Sequence, residues 1–364
     1  MTSSRALPDF PWDRLAPAGT VARAHPDGVV DLSVGTPVDP TPKVIRDALA
    51  EAADAPGYPL TAGTDALRTA ASDWLRRRFG ADVPSAAVLP VIGTKELVAW
   101  LPTLLQAQSV GFPELAYPTY DVGALLAGAT SQRVDALTAL GPARLDLLWV
   151  NSPANPTGRV LPAEHLRKVV EWGRERGTVI ASDECYCDLF YDDVPPASVL
   201  SPEVNGGSLD GLLAVHSMSK RSNLAGYRAG FVAGDPSLVA RLLEVRKHAG
   251  MIVPAPVQAA MVAALGDDEH VIGQRERYAE RRRQLLPALE SCGFVVEGSA
   301  AGLYLWATRN EDCWSTVDWL AQRGILVAPG EFYGPSGSQH VRVALTATDE
   351  RVAAAVARLT DSSD

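Results

Sequence analysis

Three polar runs each follow a short apolar stretch. They are Asn151-Ser152-Pro153-Ala154-Asn155-Pro156-Thr157-Gly158, then Asp183-Glu184-Cys185-Tyr186, then Ser217-Met218-Ser219-Lys220 continuing to Arg228. Together they offer an amide, a carboxylate, a phenol, a primary amine and a guanidinium. Open parallel sheets bind ligands at the carboxyl ends of their strands, so these positions are the first to read for chemistry. Lysine occurs only at Lys43, Lys95, Lys168, Lys220 and Lys247, which leaves five candidates for any reaction needing an amine nucleophile. Taken singly, each residue has a plain structural explanation: Lys220 a surface lysine, Asp183 a cap or turn former, Asn155 a turn.

The elements that must carry these runs follow from hydrophobic periodicity. Strands are expected at Val88–Ile92, Ser109–Phe112, Ser131–Val134, Leu145–Asn151, Thr178–Ser182, Leu212–His216 and Arg228–Ala233. Helices fit Lys43–Ala53, Thr64–Phe79, Lys95–Gln106, Tyr120–Gly128 and Ala163–Arg176. Alternation of the two implies parallel crossovers and an α/β sheet covered on both faces. After Pro236 come helices at Leu238–His248, Pro256–Gly266 and Glu269–Cys292. The tail then alternates strands (Phe294–Glu297, Leu303–Thr308, Leu326–Ala328, Val341–Leu345) with helices (Ser315–Arg323, Glu350–Leu359), as a small α+β domain does. The first forty residues, rich in proline, read as an irregular arm with one short strand at Val29–Val34.

Composition narrows the function. The chain has 364 residues and a formal net charge of −10, which opposes association with nucleic acid. No segment approaches the apolar length of a membrane span or secretory signal, so a cytoplasmic protein is expected. Cys185-x-Cys187 reads as buried packing, since no second pair or spaced histidine accompanies it, and no metal site is expected.

The three runs, in this order and spacing, closely resemble the motifs of the class I/II aminotransferases, the fold type I enzymes that use pyridoxal 5'-phosphate. The resemblance spans essentially the whole chain. It implies a mostly parallel large α/β domain (44–265), a smaller C-terminal α+β domain (266–364) and an N-terminal arm (1–43). It also implies roles residue by residue. Lys220 matches the lysine that carries the cofactor as an imine and shuttles the substrate proton. Asp183 matches the carboxylate on the pyridine nitrogen, and Tyr186 and Asn155 the donors to the 3′ oxygen. Gly93, Thr94 and Lys95 at a helix start, with Ser217 and Arg228, match the phosphate cup, a use of helix N-termini that suits an anion. Tyr117 matches the aromatic stacked on the ring. Tyr58 matches a residue reaching the phosphate of a neighbouring subunit, so a homodimer with shared active sites is expected. Arg342 and Gly35 match the contacts to the α-carboxylate of amino-acid and 2-oxo-acid substrates, and a planar guanidinium suits that group better than a point charge.

Finer similarity at 7–13, 31–40, 217–223 and 246–251 resembles actinobacterial N-succinyldiaminopimelate aminotransferases. The alternative is another donor such as aspartate, alanine or an aromatic amino acid. A cofactor-sensing regulator would need a DNA-binding module for which the arm is too short, and no Gly-x-Gly-x-x-Gly supports a nicotinamide dehydrogenase. The link from the helix ending near Gln106 to the strand near Val110 is shorter than the family's, so an irregular edge is expected there.

Overall fold

A computed structural model describes residues 7–141, 144–192 and 195–361. Its strands, in chain order, are β1 (Val30–Asp31), β2 (Val88–Ile92), β3 (Ser109–Phe112), β4 (Thr130–Arg133), β5 (Leu147–Asn151), β6 (Val179–Asp183), β7 (Leu212–Ser217) and β8 (Ala229–Gly234). They continue with β9 (Val295–Glu297), β10 (Tyr304–Thr308), β11 (Ile325–Leu326), β12 (Ala328–Pro329) and β13 (His340–Ala344).

Seven strands form one sheet in the order β2-β8-β7-β6-β5-β3-β4. All neighbours are parallel except those of β8, which runs antiparallel to both β7 and β2. The stretch between β7 and β8 holds only two short turns, too little chain for the crossover that a parallel return requires. The sheet is apolar on both faces because its residues alternate between two cores. Leu213 and Val215 of β7 pack with helices Thr94–Leu104, Thr119–Ala127 and Pro236–Ala249, whereas Leu212 and Ala214 pack with Asp65–Phe79, Ala163–Arg176 and Ala255–Gly266. The expected mostly parallel α/β sheet is therefore present.

The smaller sheet, β12-β13-β10-β9, is antiparallel throughout. It shares its core with the N-terminal helix and with helices Glu269–Ser291, Cys313–Gln322 and Asp349–Thr360.

Four expectations change. Residues 11–23 are not an irregular arm: a 3-10 turn, Pro11–Leu15, runs into an α-helix, Ala16–Arg23, that buries Ala18 and Ala22. Each proline there lies in the first helical positions, where a missing N–H costs nothing. The strand expected at Val29–Val34 is paired only over Val30–Asp31, in parallel with β11. The strand expected at Leu326–Ala328 is split, because β11 pairs with β1 while β12 pairs with β13. Finally β3 is a regular interior strand, matched to β4 over all four residues. Its short approach is made by Gln106, which adopts a left-handed conformation at φ 56°.

Candidate active site

The carboxyl ends of β5, β6 and β7 lie side by side, with Asn151 opposite Asp183 and Asp183 opposite Val215. Register alone thus brings the three polar runs to one edge of the sheet. Asn151 organises the first run: its amide donates to the Asp183 carbonyl at 3.0 Å and its Oδ1 accepts the Asn155 backbone N–H at 2.8 Å. Two cis peptides, Ser152-Pro153 and Asn155-Pro156, complete that turn.

A cavity of about 610 Å³ opens above these ends. Its walls include Gly35, Thr94, Lys95, Tyr117, Asn155, Asp183, Tyr186, Ser217, Lys220, Arg228 and Arg342. Gly93, at φ 71°, caps the helix Thr94–Leu104 with no side-chain cap, and the first two residues of that helix, Thr94 and Lys95, line the cavity. That φ lies in the region that residues with a Cβ rarely adopt, which explains the glycine. Tyr58 is the exception among the expected site residues. It is 99% exposed and lies outside the cavity.

Electrostatics in the cavity are unusual in what is left uncompensated. Asp183 is buried and has no ion-pair partner among the described residues. It accepts hydrogen bonds from the Tyr120 hydroxyl at 2.8 Å and the Cys185 N–H at 3.2 Å. Burial pushes its carboxyl above the ordinary value, against the lowering effect of those donors. Arg342 is only 3% exposed; its Nη1 donates to Asn155 Oδ1 at 3.0 Å and its Nη2 to the Ser33 carbonyl at 2.7 Å, while its Nε has no partner among the described residues. Among the described residues no carboxylate pairs with this guanidinium; the Tyr304 ring lies 3.9 Å from it instead. The Lys220 amine donates to the Gly35 carbonyl. Burial lowers its pKa, favouring the neutral nucleophile.

Several residues of the site escape sequence reading. Tyr304 places its hydroxyl 3.2 Å from that of Tyr186, and the Arg342 and Lys220 charges outweigh burial to lower its pKa. A Cβ on Gly35 would strike the Tyr304 hydroxyl. Tyr120 supports Asp183, and its only sequence signal is a spacing of three from Tyr117 at a helix start. Cys185, expected as packing, lines the cavity and lies 3.4 Å from Thr94 Oγ1, while Cys187 is buried. Phe10 and Trp12 close one side.

Residues 27–359 match the family model described as aminotransferase class I and II. The chain belongs to this family. The class I and II aminotransferases depend on pyridoxal phosphate, and this chain is a pyridoxal-phosphate-dependent aminotransferase by that membership. The site fits the group: a buried carboxylate without a cation, a desolvated amine, and a glycine-capped helix start meet in one cavity.

Among relatives, the probable aminotransferase Rv1178 of Mycobacterium tuberculosis is 67% identical, covering 98% of this chain and 86% of its own. The 4-dedimethylamino-4-oxo-anhydrotetracycline transaminase OxyQ of Streptomyces rimosus is 62% identical, covering 98% and 100%. A crystal structure of an aminotransferase from Neisseria meningitidis superposes with a TM-score of 0.89 at 32% identity, over 99% of this chain and 98% of that one. No helix among the described residues is long and apolar enough to cross a membrane.

Proposed function

We propose that this aminotransferase moves an amino group between N-succinyl-LL-2,6-diaminopimelate and 2-oxoglutarate, in the synthesis of lysine and diaminopimelate. The observation that carries amino-acid and 2-oxo-acid chemistry is the buried Arg342 guanidinium, which has neutral partners and no carboxylate partner among the described residues. A buried cation of this kind is completed by an α-carboxylate, which every substrate of the exchange possesses. The donor choice is supported by the motif similarity and by a Thermus thermophilus structure titled a probable N-succinyldiaminopimelate aminotransferase, 29% identical with a TM-score of 0.86, covering 96% of this chain and 99% of that one. A second reading, an aromatic donor or an oxo-anhydrotetracycline-type ketone, is favoured by the 62% identity to OxyQ and by Phe10 and Trp12 on the cavity wall.

The cofactor, when bound, supplies an electron sink that makes the substrate Cα–H acidic. Asp183 would pair with the protonated ring of the cofactor, and Tyr120 donates to that carboxylate and orients it. Tyr186 and Asn155 would supply hydrogen-bond donors to the cofactor, and Tyr117 an aromatic wall for it. The helix start at Thr94 and Lys95, with Ser217 and Arg228, would hold the phosphate. Arg342 binds the substrate carboxylate, fixed in position by Asn155 and Ser33, and the Gly35 backbone lies beside it. Lys220 Nζ, held neutral, takes the Cα proton and returns it.

The same reading divides the chain into an arm (1–43), a large domain (44–265) and a small domain (266–364), and makes the protein a cytoplasmic homodimer in which exposed Tyr58 reaches across to the other subunit's phosphate. Borohydride reduction followed by peptide mapping tests the core of the proposal: the adduct belongs on Lys220, and an adduct elsewhere overturns it. Exchange kinetics with N-succinyl-LL-diaminopimelate against aspartate, alanine and aromatic amino acids decide the donor.

A further inference from the structure

Segment 33–40 runs across one wall of the cavity, where the Gly35 carbonyl receives the Lys220 amine. Its upstream end is tied to the small sheet region, through Arg342 to the Ser33 carbonyl and through the Thr346 hydroxyl to the Val34 carbonyl at 2.9 Å. Downstream, Pro37, Pro40 and Pro42 remove N–H donors, and the segment has no strand partner. This end is held by Asn223, whose amide donates to the Pro40 carbonyl at 3.3 Å and whose carbonyl accepts from the Thr41 hydroxyl at 3.1 Å, and by the buried side chain of Asp39. Both of its carboxylate oxygens accept from the Arg281 guanidinium, at 2.6 and 2.9 Å, and Oδ2 also accepts from Gln274 at 2.8 Å.

Gln274 in turn accepts from the Asn223 amide at 2.9 Å, three positions beyond Lys220. The contacts therefore close a ring: from the Lys220 amine to Gly35, along the segment to Asp39, across to the helix Glu269–Ser291, and back to the Lys220 loop. Arg281 is almost wholly buried and the Asp39 side chain is 11% exposed. Burial opposes ionisation of Asp39, but the Arg281 guanidinium outweighs it and holds the carboxyl below its ordinary value. A paired charge of this kind adds little net stability compared with apolar packing, yet removing one partner is costly, so its effect is to select one arrangement of the chain.

We propose that Asp39 and Arg281 form a latch that holds segment 33–40 in place over the Lys220 amine, and that both are positioning residues for amino transfer. The proposal rests on the reading of Lys220 given above.

Asp349 supplies the control. It accepts from Arg281 Nε at 2.8 Å, but it belongs to the helix Asp349–Thr360 and its side chain is 73% exposed. Hydrogen–deuterium exchange of the full-length holoenzyme is followed on peptides covering 33–41, with steady-state kinetics on the same samples. Asp39→Asn is expected to speed exchange of that segment about tenfold and to raise KM about fivefold with a smaller change in kcat, as loosening of one local unit would. Asp39→Glu, which keeps the charge, recovers part of both effects, and Asp349→Asn changes neither by more than about twofold. Gln274→Ala, which removes one strand of the latch, shows the same pattern more weakly and serves if Asp39→Asn does not fold. Unchanged exchange of 33–41 in Asp39→Asn and Gln274→Ala overturns the latch, as does an Asp349→Asn protein that behaves like Asp39→Asn. A borohydride adduct missing from Lys220 sinks the reading of the site instead, and leaves the exchange result to judge the latch alone.

Discussion

Tyr120, fully buried, donates its phenolic hydrogen across 2.8 Å to Oδ2 of Asp183, whose carboxylate lines the cavity. The carboxylate already carries a burial penalty, so loss of this donor moves its pKa further up. Tyr120→Phe is expected to weaken cofactor retention at least about tenfold, from the roughly 1.5–3 kcal/mol that a hydrogen bond to a charged group supplies. Spectrophotometric titration of the apoprotein with pyridoxal phosphate measures it, and wild-type retention would remove Tyr120 from the site.

Lys220→Ala is expected to abolish both the yellow absorbance of the holoenzyme and amino exchange while leaving the fold. Burial disfavours the charged amine, so the apo variant should melt no lower than the apo wild type. Circular dichroism and absorbance on one preparation check both parts; retained exchange would reassign the nucleophile.

Arg342→Ala is expected to raise KM for amino and oxo substrates alike by about a hundredfold, the scale for removing a desolvated charge partner. Arg342→Lys should recover little, because a point charge cannot donate to Asn155, Ser33 and a carboxylate in one plane. Steady-state kinetics with both substrate types would show an unchanged KM if the carboxylate binds elsewhere.

Gly35→Ala would thrust a methyl into the Tyr304 hydroxyl, displacing the carbonyl that receives Lys220. A loss of about tenfold in kcat/KM is expected, partly relieved in Gly35→Ala with Tyr304→Phe, because contacting residues couple. Strict additivity in this double-mutant cycle would mean the two residues do not meet.

Behind the cavity floor, Glu184 Oε2 and His216 Nε2 lie 3.5 Å apart, both buried. Burial pushes Glu184 up to about 7 and His216 down to about 3. Between pH 3 and 6.5 the unfolded chain binds the histidine proton that the native state refuses, so stability rises with pH. Between 4.5 and 7 the native state keeps the glutamic proton that the unfolded chain loses, so stability falls. The two slopes, each about 1.4 kcal/mol per pH unit, oppose one another from 4.5 to 6.5. Glu184→Gln removes the falling one, and denaturant titrations should then show stability increasing across that window; a slope like that of the wild type would count against the assignment.

Much of the fold is legible because the strands of the large sheet, apart from the polar edge strand β4, are short apolar runs bounded by polar or turn residues. Val88–Ile92 and Ser109–Phe112 end where periodicity places them. The runs carrying Asn155, Asp183 and Lys220 are legible for a related reason: each is contiguous, and strand register alone assembles them. What the sequence hides is contact between distant segments. Nothing local marks Tyr304 as a neighbour of Tyr186, 118 positions earlier, or Arg281 as the partner of Asp39, 242 positions away. The N-terminal helix is hidden by its prolines, which break helices in their interior but not at their first turn.

The pairing of β1 with β11, and of Ser33 with Arg342 across 309 positions, sets an order of events during synthesis. A chain leaving the ribosome has every strand of the seven-stranded sheet in hand before the partners of its own beginning exist. The first thirty-odd residues must wait for the segment from β11 to β13 before their partners exist, and such late, long-range closure is the slow and aggregation-exposed part of folding. Translation halted before β13 would release a product with a finished sheet and a gaping, inactive crevice.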